Sequence, residues 1–171
     1  SAPSYFCTGE WRVPNSSGDW SFTNIYHLNF FFANVLPRFG EDLNGSGNTI
    51  SGDLKSIRHY IGELYTLRAL EYFKRYQAFG DYPIVTDPLT DNMEILTDAA
   101  KRSPRNEVAR FILSDLDKAA ILMDGKDFQT TRINRDVALL LKSRVALFEA
   151  TWLKYFKGSA FVPNGDRKSV V

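Results

Sequence analysis

Apolar and aromatic residues at Ile57, Tyr60, Ile61, Leu64, Leu67, Leu70, Phe73, Tyr76 and Phe79 recur at steps of three and four. That spacing predicts a long helix buried over a broad face. Gly80 offers a left-handed C-terminal position and Pro83 forbids continuation, so the helix stops there. At about 100° per residue, Lys55, Arg58, His59, Gly62, Glu63, Thr66, Lys74 and Gln77 fall into one band, predicting a wet side. Arg68, Glu71 and Arg75 lie outside that band. Their spacing places them together on the apolar side, where charge is tolerated only when paired, so an interhelical Arg68–Glu71–Arg75 ion cluster is expected.

Three further segments carry the same period. Asp19 reads as the N-cap of a helix from Trp20 to about Leu36, with Phe22, Ile25, Leu28, Asn29, Phe32 and Val35 at helical spacing and Pro37 as its end. Asn29, polar on that face, reads as an interhelical hydrogen-bond fixer in preference to a ligand contact. Ser103 as N-cap and Pro104 as first helical residue open another helix. Its stripe of Val108, Phe111, Ile112, Leu116, Ala119, Ala120 and Met123 stops at Gly125, with Asp115, Asp117 and Lys118 facing water. Asn134 caps a last helix running to about Phe156, whose apolar set is Val137, Leu140, Leu141, Val145, Phe148, Trp152 and Phe156. Arg144 sits among these residues much as Arg68 does in its helix.

Leu64-Tyr65-Thr66-Leu67-Arg68 and Leu140-Leu141-Lys142-Ser143-Arg144 form a faint internal echo. An interval of that length suits two helix pairs, and with the Ala69-to-Phe73 spacing it predicts an all-α, tetratricopeptide-like stack of antiparallel helices. The remaining stretches read as connections. Residues 1–19 and 158–171 are loop-like ends. Ile84 to Thr86 is short and extended, and Asp87 to Ala100 is a polar connection in which Asp81, Asp87 and Asp91 act as turn makers. In the Gly- and Asn-rich stretch from Gly40 to Asp53, residues Asp42, Asn44, Ser46, Gly47 and Asp53 occupy positions of an incomplete EF-hand loop. Either a calcium loop or a plain helix connection satisfies that pattern.

Composition narrows the function. With 21 basic and 20 acidic residues and a formal net charge of +1, nothing electrostatic favours nucleic acid or an anionic membrane. Aromatic content of 14% is a richer clue, because rings serve both as core filling and as stacking platforms. Trp11 and Arg12 in the first loop read as a sugar-stacking edge or as a core cap, and Trp20 is a second ligand candidate. One cysteine, Cys7, excludes an intramolecular disulfide framework and a multi-thiolate zinc site. His27 and His59 lack a partner at metal-ligand spacing and read as surface or boundary residues, so no metal site is assigned. No run approaches the roughly 18 apolar residues of a membrane span, and no signal segment opens the sequence. Phosphate loops, nucleophile elbows and zinc motifs are absent, so no catalytic residue and no cofactor is assigned.

The run Gly62-Glu63-Leu64-Tyr65-Thr66-Leu67-Arg68-Ala69, then Tyr72-Phe73 and Phe79-Gly80-Asp81-Tyr82-Pro83-Ile84-Val85-Thr86, resembles the signature of the SusD/RagB-like family. Lys101 to Val108 with Phe111-Ile112 and Asp115 to Ala119 resembles the family's next helix, and Arg132 to Ala138 with Arg144 to Ala150 the one after. Trp20, Phe22, Ile25 and Asn29 match its early helix. The blocks span about Trp20 to Gly165, so the resemblance covers nearly the whole chain but only part of a usual member, and it implies a single partial domain over 1–171. It further implies a surface lipoprotein of the bacterial outer membrane that binds nutrients, mostly glycans, without catalysis, beside a SusC-like TonB-dependent transporter. The family's lipid-bearing cysteine follows small residues, whereas Cys7 follows Ser4-Tyr5-Phe6, so Cys7 is not assigned as the anchor, which is expected outside this segment. The rival expectation is a helical-repeat scaffold for protein partners without sugar binding.

Overall fold

The structure is a computed structural model that describes residues 21–40, 42–90, 93–125, 131–159 and 162. Five helices follow one another: α1 (Thr23–Phe39), α2 (Leu54–Phe79), α3 (Met93–Ala99), α4 (Arg105–Leu122) and α5 (Arg135–Phe156). Contacts between helices fix their directions. Asn29 and Phe32 of α1 meet Arg68 and Tyr65 of α2, so these helices run antiparallel. Arg58 near the start of α2 reaches the Ile121 carbonyl and Asp124 past the end of α4. Arg105 at the start of α4 pairs with Glu149 late in α5, and Lys142 of α5 pairs with Asp117 of α4. The result is an antiparallel stack in which α2 lies between α1 and α4, while α5 packs mainly on α4 and touches α2 through Phe148.

That central place explains why the expected wet side of α2 is largely dry. His59, Gly62 and Thr66 are buried. A Cβ on Gly62 would come within 2.6 Å of Met123 Cγ and 3.2 Å of the Ala119 carbonyl oxygen, so the glycine permits the close approach of α2 and α4. Thr66 hydroxyl donates to the Gly62 carbonyl at 3.0 Å, which removes its need for water. His59 lies 3.2 Å from Glu63, itself held by Arg132 at 2.6 and 2.8 Å. The outward line of α2 is instead Tyr60, Leu67 and Lys74, one residue every two turns.

Helix ends differ in instructive ways from the sequence expectation. Pro37 lies inside α1 rather than ending it: its missing N–H falls in the last turn, and Gly40 N–H closes the helix on the Leu36 carbonyl at 3.0 Å. Asp19 and Trp20, the expected start, lie outside the described residues, and Phe22 occupies the N-cap without a side-chain bond. Ser103 does not cap α4, because its backbone is engaged with Tyr82 in an antiparallel bridge at 3.2 and 3.3 Å. The Asp81 carboxylate accepts the Arg105 N–H instead, at 2.9 Å. The polar connection 87–100 contains the short helix α3. Asn134 does cap α5, accepting the Val137 N–H at 3.1 Å, and α5 ends at Phe156.

Asp42 and Asp53 are committed to the helix connection. Asp42 accepts the N–H groups of Gly45 and Ser46 and the Ser46 hydroxyl, and Asp53 accepts the Ser56 N–H and hydroxyl as the N-cap of α2. Those hydrogen bonds, the Ser46 and Ser56 hydroxyls foremost, hold both carboxyls below their ordinary pKa. Among the described residues no group of three or more His, Cys, Asp or Glu side chains is placed to hold a metal. Nor is any described helix long and apolar enough to cross a membrane.

Candidate ligand-binding cleft

A buried ion pair stands behind the site, joined to it through Asn29. Asp115, expected to face water, is wholly buried and accepts from Arg68 Nε at 2.7 Å and Nη2 at 2.9 Å. Arg68 Nη1 donates to Asn29 Oδ1 at 3.1 Å, and the guanidinium lies 4.5 Å from the Phe32 ring centroid and 5.2 Å from that of Phe111. Burial pulls the Arg68 pKa down, but the hydrogen bonds and charge of Asp115 more than offset this, and it stands above the ordinary value. The expected three-residue cluster is therefore divided. Glu71 pairs with Arg75 at 3.2 Å and Lys74 at 2.7 Å near the surface, while Arg68 turns the other way, toward α4. A buried guanidinium takes the partner with the better fork geometry, and Asp115 across the helix interface offers both oxygens.

The same network carries the wall of a cleft. Asn29 Nδ2 donates to the Val85 carbonyl at 2.7 Å. The Tyr72 hydroxyl accepts the Val85 N–H at 2.8 Å and donates to the Val85 carbonyl at 3.0 Å. Burial pushes the Tyr72 pKa up to about 12, so this hydroxyl stays protonated throughout the physiological range. Both backbone groups of Val85 are thus satisfied by side chains, which lets an irregular segment lie against α1. Between them opens a half-enclosed cleft of about 360 Å³, within the usual range for small-molecule sites. Phe22, Ile25 and Tyr26 of α1, Leu89, and Leu96 of α3 supply apolar walls, and Asp87 supplies a carboxylate.

On the solvent side Tyr26 continues into Phe30, one turn along α1. Their ring centroids are 6.4 Å apart with planes at 28°, and the side chains are 43% and 54% exposed. Two such rings are a flat apolar platform that one helix face holds in place. Neither ring belongs to the stripe that predicted α1, and their four-residue spacing is the signal that would have found them. Trp11, Arg12 and Trp20, the ligand candidates from sequence, lie outside the described residues.

Glu63, Glu71 and Glu149 are each committed to ion pairs with arginines, and Asp87 is the acidic residue lining the cleft. Hydrolysis of a glycoside by the usual route needs two carboxyl groups facing each other across the bond. The cleft offers apolar faces, an amide fixed from behind and Asp87 among its lining residues.

Fold and site define the class as an all-α, tetratricopeptide-like stack with an aromatic-edged cleft. Sequence and structure comparisons then find the chain similar to SusD-like proteins. It is 26% identical over 119 residues to a SusD-like protein of Formosa agariphila, a match covering 70% of this chain and 23% of that protein. A second SusD-like protein of the same organism is 39% identical over 61 residues, 35% of this chain and 12% of the relative. A SusD-like protein from Bacteroides fragilis, known from its crystal structure, superposes with a TM-score of 0.56 at 27% identity, covering 78% of this chain and 23% of that one. The chain thus spans about a quarter of the length of the first relative. No protein-family model matches it.

Proposed function

We propose that this chain is the helical part of a nutrient-binding protein that captures glycans at the bacterial cell surface without catalysis. In this reading a lipid anchor outside the segment holds the protein at the outer membrane, and a SusC-like TonB-dependent transporter receives the ligand. The observation carrying the proposal is the likeness to SusD-like proteins over most of the chain. The cleft agrees with it: Tyr26 and Phe30 offer faces to sugar rings, Asp87 can accept from hydroxyls, and Trp11, Arg12 and Trp20 are the further contacts proposed from the preceding segment.

Titration calorimetry with a panel of neutral oligosaccharides tests the reading. Binding is expected, and Tyr26→Ala should weaken it about tenfold, equivalent to ~1.4 kcal/mol. Tryptophan emission should shift on addition of the same sugars. Silence toward every oligosaccharide, together with co-purification of a protein indifferent to sugar, would replace glycan binding with a scaffold role. Binding that Tyr26→Ala leaves unchanged would move the site away from this cleft.

A further inference from the structure

The other end of α1 frames a second concavity, of about 520 Å³, which shares no lining residue with the aromatic-edged cleft. Its walls are apolar: Leu36 and Phe39 from the last turns of α1, Leu43 from the connection that follows, and Ile61 of α2. The connection is fastened where it forms the wall. Thr49 gives its N–H and its hydroxyl to the Arg38 carbonyl at 2.7 and 3.0 Å, and Asp42 is committed to the N–H groups of Gly45 and Ser46. Gly40, at a φ of 105°, passes so close to Gly47 that a Cβ would stand 3.2 Å from the Gly47 Cα. The concavity is therefore held open by the chain's own bonds, and its volume is that of a small-molecule site.

Two polar side chains line the same space, Tyr65 of α2 and Lys118 of α4. Tyr65 is 4% exposed, its ring packs on Phe32 with centroids 4.4 Å apart, and its hydroxyl makes no hydrogen bond with the described residues. Burial pushes its pKa up, so the hydroxyl keeps its proton and is a donor. Lys118 Nζ lies 5.4 Å from the Tyr65 ring centroid and makes no ion pair with the described residues. Its acidic neighbours in α4 are engaged elsewhere, Asp115 with Arg68 and Asp117 with Lys142. A cation and a buried donor, both short of an acceptor, stand at the edge of apolar walls. A neutral hydrocarbon would leave both donors unmet, and a bare inorganic anion would leave the walls uncovered. We propose that this concavity binds a free medium-chain alkyl carboxylate, its carboxylate accepting from Lys118 and the Tyr65 hydroxyl and its chain lying against Leu36, Leu43 and Ile61.

Titration calorimetry of the 171-residue chain with octanoate and with 1-octanol tests this, because the two share an alkyl chain and differ at the head group. Octanoate should bind one molecule per chain, at least about tenfold tighter than 1-octanol. K118M keeps an apolar side chain but removes the charge. It should bring octanoate down to the affinity of 1-octanol, leave 1-octanol itself unchanged and preserve the helical circular dichroism signal. K118E should reverse the preference, so that octylammonium binds tighter than octanoate. Y65F, which keeps the ring, should weaken octanoate about threefold or more. Tyr26→Ala should leave octanoate binding unaltered, since that ring lines the cleft at the opposite end of α1. No binding of octanoate, equal affinity for octanoate and 1-octanol, a preference that K118M and K118E leave intact, or a loss of octanoate binding in Tyr26→Ala would each overturn the proposal.

Discussion

Removing Arg68 or Asp115 separates buried-pair energetics from surface energetics most sharply. Asp115 is fully buried and Arg68 is 5% exposed, so neither can turn to water when its partner is lost. Breaking a buried pair by truncating one member costs about 3–5 kcal/mol, because the survivor is left as an uncompensated buried charge. Arg68→Ala adds a vacancy among Phe32, Tyr65 and Phe111, whose rings surround the guanidinium at 4.5, 5.3 and 5.2 Å. It also strips Asn29 Oδ1 of its donor, loosening the residue that holds Val85. A loss of 3–5 kcal/mol lowers the melting temperature of a domain this size by about 6–20 °C, at roughly 2–4 °C per kcal/mol. Urea unfolding followed by circular dichroism at 222 nm measures the change, with the slope against urea checked for constancy. The double variant Arg68→Met/Asp115→Leu removes both charges and should recover much of the loss, giving a coupling energy of at least about 1 kcal/mol. A loss below about 1 kcal/mol in Arg68→Ala would refute the reasoning, since that is the scale of a solvated pair.

Gly62→Ala improves helix propensity by about 1 kcal/mol, yet it should lower the melting temperature, because overpacking against Met123, Leu122 and the Ala119 carbonyl costs about 1–3 kcal/mol. A raised melting temperature would show slack between α2 and α4. Alkaline pH should destabilise the fold through Tyr72. Between pH 10 and about 12 the unfolded chain loses this proton while the native state keeps it, so stability falls by up to about 1.4 kcal/mol per pH unit and no Tyr72-dependent slope appears below pH 9. The difference between wild type and Tyr72→Phe in urea midpoints at pH 9, 10 and 11 isolates the effect; parallel curves would contradict it.

Local signals carried far in this chain. The three- and four-residue period located α1, α2, α4 and α5, the N-cap amide of Asn134 placed the start of α5, and Gly80 with its positive φ of 71° marked the end of α2. α3 escaped because its seven residues, none of them buried, leave no stripe to read. Asp115 was read as solvent-facing because a carboxylate beside an apolar stripe usually is, and its partner lies 47 positions away in another helix. Arg144 was likened to Arg68, but burial separates them: one faces α4, and the other is exposed on α5. The cleft was illegible for the same reason. Tyr26, Asp87 and Leu96 come from three segments and meet only because Asn29 and Tyr72 pin Val85 between them.

What the sequence by itself determined is where the four long helices form and where α2 and α5 begin or stop, because periodicity, caps and glycine act within a turn or two of the chain. It also pointed to the class, an antiparallel helical stack, through the internal echo of Leu64–Arg68 in Leu140–Arg144 and the Ala69-to-Phe73 spacing. What only tertiary structure decided is which face of each helix is dry and which charge answers which. Burial follows from the number of neighbours a helix acquires, and α2 acquires them on both sides. A charge selects its partner by geometry across an interface, and the geometry between Arg68 and Asp115 exists only after the helices have packed.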